Sequence, residues 1–194
     1  MNEPDRPFAL PDFEQSANLA MLLAQTWSFS LEVFLRCRFG SRYIGLQGLL
    51  VLPLIVVFCL WWPPEECGPL FLFLLAYLAL CFCHRMATLW RRRNGEANHS
   101  RYTGAPLLLK PTRRLTEETI KQYVEPIFVA GLGCLLGPSS APLGAYLLVG
   151  AAMMFFTVRH SIHWTAMRTR DLHDNLIEQQ CVAADFRSRM GDDF

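Results

Sequence analysis

Five ionisable residues stand beside or inside long uncharged stretches of this chain: His84, Arg85, Glu125, Arg159 and His160. Measured along helical rise from the nearest connecting turns, His84 and Arg85 fall roughly 23 Å in, Glu125 roughly 18 Å, and Arg159 with His160 roughly 24 Å. Groups of these types at one depth suit a buried ion pair, a proton or anion pathway, or the anchoring of helix ends. An ionisable side chain in hydrocarbon persists when it pairs, faces a polar cavity or snorkels to the headgroups. The shared depth predicts that Glu125 pairs with Arg85 or Arg159, with helix-end anchoring as the plainer role for the layer. His84, His160 and His163 would allow one haem at most between two helices. No other pattern supports a cofactor or a metal, and none is expected.

Other reactive chemistry lacks its signatures. There is no phosphate-binding glycine loop, no His-Glu-x-x-His and no Gly-x-Ser-x-Gly, so the chain reads as non-enzymatic with no catalytic residues. The seven cysteines include no Cys-x-x-Cys pair and behave mostly as small apolar residues. Cys67 and Cys134 would meet only if both lie toward an oxidising compartment. A net charge of +1 gives no general attraction to nucleic acid, and no nucleic-acid partner is expected.

The elements that carry these residues are apolar runs. Of 194 residues 52% are hydrophobic, and they are clustered rather than spread along amphipathic segments. Tyr43 to Trp62 carries no charge, which over about 20 helical residues matches the roughly 30 Å of a bilayer's hydrocarbon. Pro69 to Cys83 is a second uncharged run, separated from the first by Pro-Pro-Glu-Glu-Cys-Gly. Residues 43–90 therefore predict a transmembrane hairpin, with Trp61, Trp62 and Trp90 at interface depth.

Before it, residues 1–15 hold Pro4, Pro7 and Pro11 and predict an exposed tail. Residues 16–40 predict a helix capped by Ser16 and stopped by Gly40. Gln25, Glu32 and several hydroxyl residues interrupt its apolar content, which suggests an interfacial or partner-packed helix with Arg36, Arg38 and Arg42 among headgroups. Residues 91–115 form a cytoplasmic loop with a polar cluster from His99 to Gly104. Residues 116–164 predict a second hairpin, with Thr116 as N-cap, Gly137 to Pro142 as its turn, and the third helix either spanning or re-entrant. Residues 165–194 predict a cytoplasmic helix and tail continuing the fourth span.

Two packing patterns accompany this plan. Gly133 and Gly137, with Gly144 and Gly150, give the third and fourth helices thin sides for close approach. Leu172, Leu176, Gln179, Ala183, Phe186 and Met190 follow alternating four- and three-residue steps, a short seam for docking or for lying on the protein's own surface.

The sequence thus predicts an all-α membrane protein with four transmembrane helices in two hairpins, an N-terminal interfacial helix and a long cytoplasmic extension of the fourth helix. Four spans place all 18 Lys and Arg on one side, four before the first span, nine in the middle and five at the end. The positive-inside rule makes that side cytoplasmic, with both termini inside the cell's inner (plasma) membrane. The first transmembrane helix would serve as targeting signal, since residues 1–15 lack an apolar core. The function expected is that of a structural or scaffold subunit of a larger membrane assembly. Its partners would be the lipid bilayer, other membrane or cytoplasmic proteins of that assembly, or copies of itself. The alternatives are an oligomeric channel or transporter using the Glu/Arg/His layer, and more remotely a haem electron carrier.

Overall fold

A helix surrounded on every side is the structural centre of this protein. The structure, a computed structural model, describes residues 13–40, 46–94, 103–109 and 115–191. Most of the expected tail, the cluster from His99 to Tyr102, Arg42 and the Arg113–Arg114 pair lie outside them. The chain divides into two units, Met1–Thr157 and Val158–Phe194. The described residues are mostly helical.

The first helix, α1, runs Phe13–Leu35. It starts inside the expected tail, and Ser16 lies within it rather than capping it. From Ser28 to Val33 every residue is buried, and six consecutive positions cover all faces of a helix with 3.6 residues per turn. An interfacial helix would leave one face open. Residues 15–23 of α1 are mostly exposed, with Leu19, Leu22 and Leu23 open, whereas its second half is packed by other helices of its own chain, so there the partner-packed alternative describes it and the interfacial one does not. Phe29, Leu31, Val33 and Leu35 join Val51 and Ile55 of α2 (Leu46–Cys59), Leu70 and Tyr77 of α3 (Gly68–Arg93), and residues of two later helices in one core.

A two-residue strand, β1 (Arg36–Cys37), follows α1 and pairs antiparallel with β2 (Ala105–Pro106). The helix ends at Leu35, short of the expected stop at Gly40, and after the strand Arg38 turns the chain with a positive φ of 61°. Opposite it, Gly104 has φ 87°, and a Cβ there would lie 3.0 Å from Phe39 and 3.1 Å from the Cys37 carbonyl. Gly104→Ala should therefore lower stability by about 1–2 kcal/mol from backbone conformation alone. A thermal melt in mild detergent would register it.

The next helical stretch contains three pieces: α4 (Glu117–Thr119), a π turn (Ile120–Val124) and α5 (Glu125–Leu136). Thr116 caps it as the sequence predicts, its hydroxyl accepting from the Thr119 N–H at 3.3 Å. The π turn has a local cause. Pro126 has no N–H for the carbonyl four residues back, and its ring would clash with that carbonyl in a regular helix. The widened turn, with the Glu125 N–H donating to the Ile120 carbonyl, gives the ring room.

The last helix, α6, is continuous over Ala141–Gly191. Among the described residues two helices are long and apolar enough to cross a membrane, Gly68–Arg93 and the Ala141–Ala183 part of α6, while Gly48–Cys59 is a shorter apolar helix. The outer side of α3 is unusually apolar: Phe71, Leu72, Leu75, Leu78, Phe82 and Trp90 are all exposed. In water such a face is costly, and in lipid it is the ordinary one.

Gly133 and Gly144 are where α5 and α6 come closest. A Cβ on Gly133 would meet the Gly144 carbonyl at 3.1 Å, and a Cβ on Gly144 would meet the Gly137 Cα at 2.5 Å. Gly150 belongs to a different contact: a Cβ there would run into Leu31 and Trp27 of α1. Three of the four glycines thus line the crossing of the third and fourth apolar helices, and the fourth admits α1. Cys67 and Cys134 are free thiols, the first buried with its S–H within 3.5 Å of the Pro63 carbonyl, the second exposed.

Candidate functional site: an ionic ladder on α1

The buried polar residues of α1 follow a helical step. Ser28 and Glu32 of α1 and Arg36, the first residue beyond it, are four apart, so their side chains follow one stripe roughly 12 Å long. The Ser28 hydroxyl donates to Glu32 Oε1 at 2.7 Å, and Arg36 Nη1 lies 3.0 Å from Glu32 Oε2. The guanidinium then reaches α5, where Nε and Nη2 both donate to Glu125 Oε2 at 2.9 and 2.7 Å. At the other end Thr157 of α6 has its hydroxyl 3.1 Å from the Ser28 oxygen. One chain of hydrogen bonds therefore joins α6, α1 and α5. Side-chain exposure is 2% for Arg36, 6% for Glu32 and 0% for Glu125, so the ladder is shut away from solvent and from lipid.

Beside it a second polar contact fixes the rotation of α1. Ser30 donates to the Trp27 carbonyl at 2.7 Å and accepts from the Tyr146 phenol at 2.8 Å. Trp27 stacks on Tyr146 with centroids 5.0 Å apart, and its indole N–H donates to the Tyr146 carbonyl at 3.1 Å. Ser28, Ser30, Glu32 and Arg36 are thereby hydrogen-bonded, the condition for keeping polar groups in an apolar interior, while Glu125 Oε1 is buried without a partner.

The partner of Glu125 is thus Arg36, 89 residues earlier, and not the Arg85 or Arg159 expected from depth. Arg36 in turn is inside the bundle rather than among headgroups, because two carboxylates and a closed apolar shell are offered to it there. His84 has a different use. Its ring Nε2 is 3.1 Å from the Val33 carbonyl, so Nε2–H donates to one of the carbonyls orphaned where α1 ends, and the ring packs edge-on against Phe39 at 5.0 Å. His84→Leu should cost about 1–3 kcal/mol through that unsatisfied carbonyl, read as a lowered melting midpoint. Arg85 is exposed on α3.

Arg159 and His160 belong to the second unit, where both are exposed, and His160 Nε2 accepts from the Trp164 indole N–H at 2.6 Å. The Nε2 atoms of His84 and His160, which a haem would need, are engaged by protein groups; His163 is exposed. Among the described residues no group of His, Cys, Asp and Glu has the arrangement of a metal site.

The loop segment before α4 is tied to the same region. Lys121 in the π turn donates to Thr103 Oγ1 at 3.0 Å and to Glu117 Oε1 at 2.6 Å. Of the docking seam, Leu172, Leu176, Ala183 and Phe186 are exposed, while the Met190 side chain lies outside the described residues.

No family model, curated protein or solved structure matches this chain. Its function must be argued from these contacts alone.

The residues the sequence did not single out are Ser28, Glu32, Arg36, Tyr146 and Thr157. One signal was available: Ser28, Glu32 and Arg36 at i, i+4 and i+8, with Glu before Arg in the favourable order for a helical pair. It does not by itself say whether such a stripe faces water or protein.

Proposed function

We propose that this chain is a non-enzymatic scaffold subunit of a larger membrane assembly. It would cross the inner (plasma) membrane four times in two hairpins, keep both termini cytoplasmic and hold other membrane or cytoplasmic proteins on its long last helix. The observation that carries this reading is the course of α6. It passes without a break from an apolar segment into a second unit in which every residue from His163 to Ala183 is exposed. Leu172, Leu176, Ile177, Val182 and Phe186 are large apolar side chains on that exposed stretch. Asn175, Glu178, Gln179, Val182, Ala183 and Phe186 recur at three- and four-residue steps and so share one face of that helix. In a stretch that the four-span arrangement keeps outside the membrane, exposed apolar side chains of this kind suit a protein contact.

Membrane insertion is supported by the two long apolar helices and by the exposed apolar side chains of the shorter ones, Leu49, Val56 and Val57 on α2 and Ile127, Phe128 and Leu135 on α5. Orientation is supported by the placement of all 18 Lys and Arg on one side of a four-span arrangement. The closed ladder favours the scaffold over the channel reading, since its charged groups are spent on joining three helices.

Truncation after Asp171 tests the proposal. A scaffold so truncated should still insert in the membrane but lose its co-purifying partners. Retained partners, or an ion flux in reconstituted vesicles that survives truncation, would argue for the channel instead.

A further inference from the structure

The ladder holds two carboxylates and one guanidinium, and its oxygens are unequally satisfied. Glu32 has both oxygens engaged, one by Ser28 and one by Arg36. Glu125 accepts twice on Oε2, while its Oε1 is fully buried and has no hydrogen-bond partner. With both acids ionised, the cluster would bury a net negative charge and would leave a charged oxygen unsolvated. Either feature alone is expensive in a low-dielectric interior.

The other charged groups that face Glu125 among the described residues come from three elements. From α1 and the strand after it these are Glu32 and Arg36. On its own segment Lys121 is one turn earlier, with its ammonium bound to Glu117 and Thr103. On α3 the titratable group packed against the end of α1 is His84, which donates to the Val33 carbonyl.

We propose that Glu125 is a proton-binding site: Oε1 carries an exchangeable acid proton while Oε2 accepts from Arg36, so that the buried cluster is electrically neutral. The proton comes from bulk water and returns to it, with no other bond made or broken. A proton fits better than a metal cation, because a hard cation needs several oxygen ligands and Oε1 is the one free carboxylate oxygen in the ladder. The π turn directly before Glu125 is consistent with such a role, since these widened turns occur often at functional positions. This inference stands apart from the docking role of α6 and holds whether or not α6 binds a partner.

Infrared difference spectroscopy of the full chain in lipid nanodiscs tests it. A protonated carboxyl C=O band should be present at neutral pH, shift when glutamate is isotopically labelled with carbon-13, and vanish in Glu125→Gln. Changing sodium or potassium at constant pH should leave it unaltered. Should Glu125→Gln fail to fold, Glu32→Gln provides the second arm: Arg36 then faces Glu125 alone, an ionised Glu125 makes the cluster neutral, and the band should be lost at neutral pH and return at lower pH. Absence of a labelled-glutamate band at neutral pH in the wild type would overturn the proposal, as would an unchanged band in Glu32→Gln, a band that Glu32→Gln abolishes at every pH, or its displacement by sodium. The last of these would assign the site to a metal cation.

Discussion

Replacing Arg36 by methionine should be among the most damaging single changes to this protein, lowering stability by about 3–5 kcal/mol. Among the described residues the guanidinium is the cation that both Glu32 and Glu125 contact, at 3.0 and 2.7 Å, and it is 2% exposed. Its removal takes the direct ion-pair partner from two buried acid groups. Against a typical total of about 5–15 kcal/mol the loss is a large fraction. Arg36→Lys should recover only part of it, because an ammonium cannot present Nε and Nη2 to one carboxylate oxygen as arginine does here. The triple variant Glu32→Gln, Arg36→Met, Glu125→Gln should melt much closer to wild type, since a buried ion cluster replaced as a whole often costs little. The measurement is the unfolding midpoint of each variant in the same detergent. If Arg36→Met melts like wild type, the ladder does not hold α1 in place.

The second large effect belongs to Gly144. A Cβ at this position would be 2.5 Å from the Gly137 Cα and 2.9 Å from the Gly133 carbonyl oxygen, which are backbone atoms and cannot rotate aside. Gly144→Ala must force α5 and α6 apart, at a cost of about 1–3 kcal/mol or more. Gly131 supplies the control. Nothing lies within 4 Å of a Cβ there, so Gly131→Ala should be neutral or stabilising by about 0.5–1 kcal/mol through its better helix propensity. Opposite signs from the same substitution, thirteen residues apart, would tie the effect to helix approach rather than to helix propensity. Equal effects would not.

What the sequence made legible is local. Uncharged runs bounded by Trp, Pro and Arg located the apolar helices, Thr116 located a cap, and the lack of Gly and Pro after Ala151 foretold the length of α6. The small-residue spacing of Gly133, Gly137 and Gly144 located a close crossing, because small side chains remove the same steric obstacle wherever two helices meet.

What was not legible is which way a helix faces. A stripe of Ser28, Glu32 and Arg36 on an otherwise apolar helix looks the same whether it meets headgroups or a partner carboxylate, and Glu125 lies 89 residues away in the chain. Counting depth along separate helices gave Glu125 a cation at the right level but not the right helix, since rise fixes height and says nothing about rotation. The π turn was hidden for a related reason. Pro126 announced a disturbance, and only the backbone bond from the Glu125 N–H to the Ile120 carbonyl shows that the disturbance widens the helix there.

In the first unit the buried ladder ties α1 to α5, and in the second α6 leaves Leu172, Leu176 and Phe186 exposed. The most direct measurement of the scaffold role is the mass of the species released from native membranes, by native mass spectrometry, for the wild type and for Leu176→Asp with Phe186→Asp. The wild type should appear at a mass that is not a multiple of its own 22.2 kDa, and the double variant should fall back to such a multiple. A wild-type species built of this chain alone, with the same mass in the double variant, would contradict a scaffold that docks partners on α6.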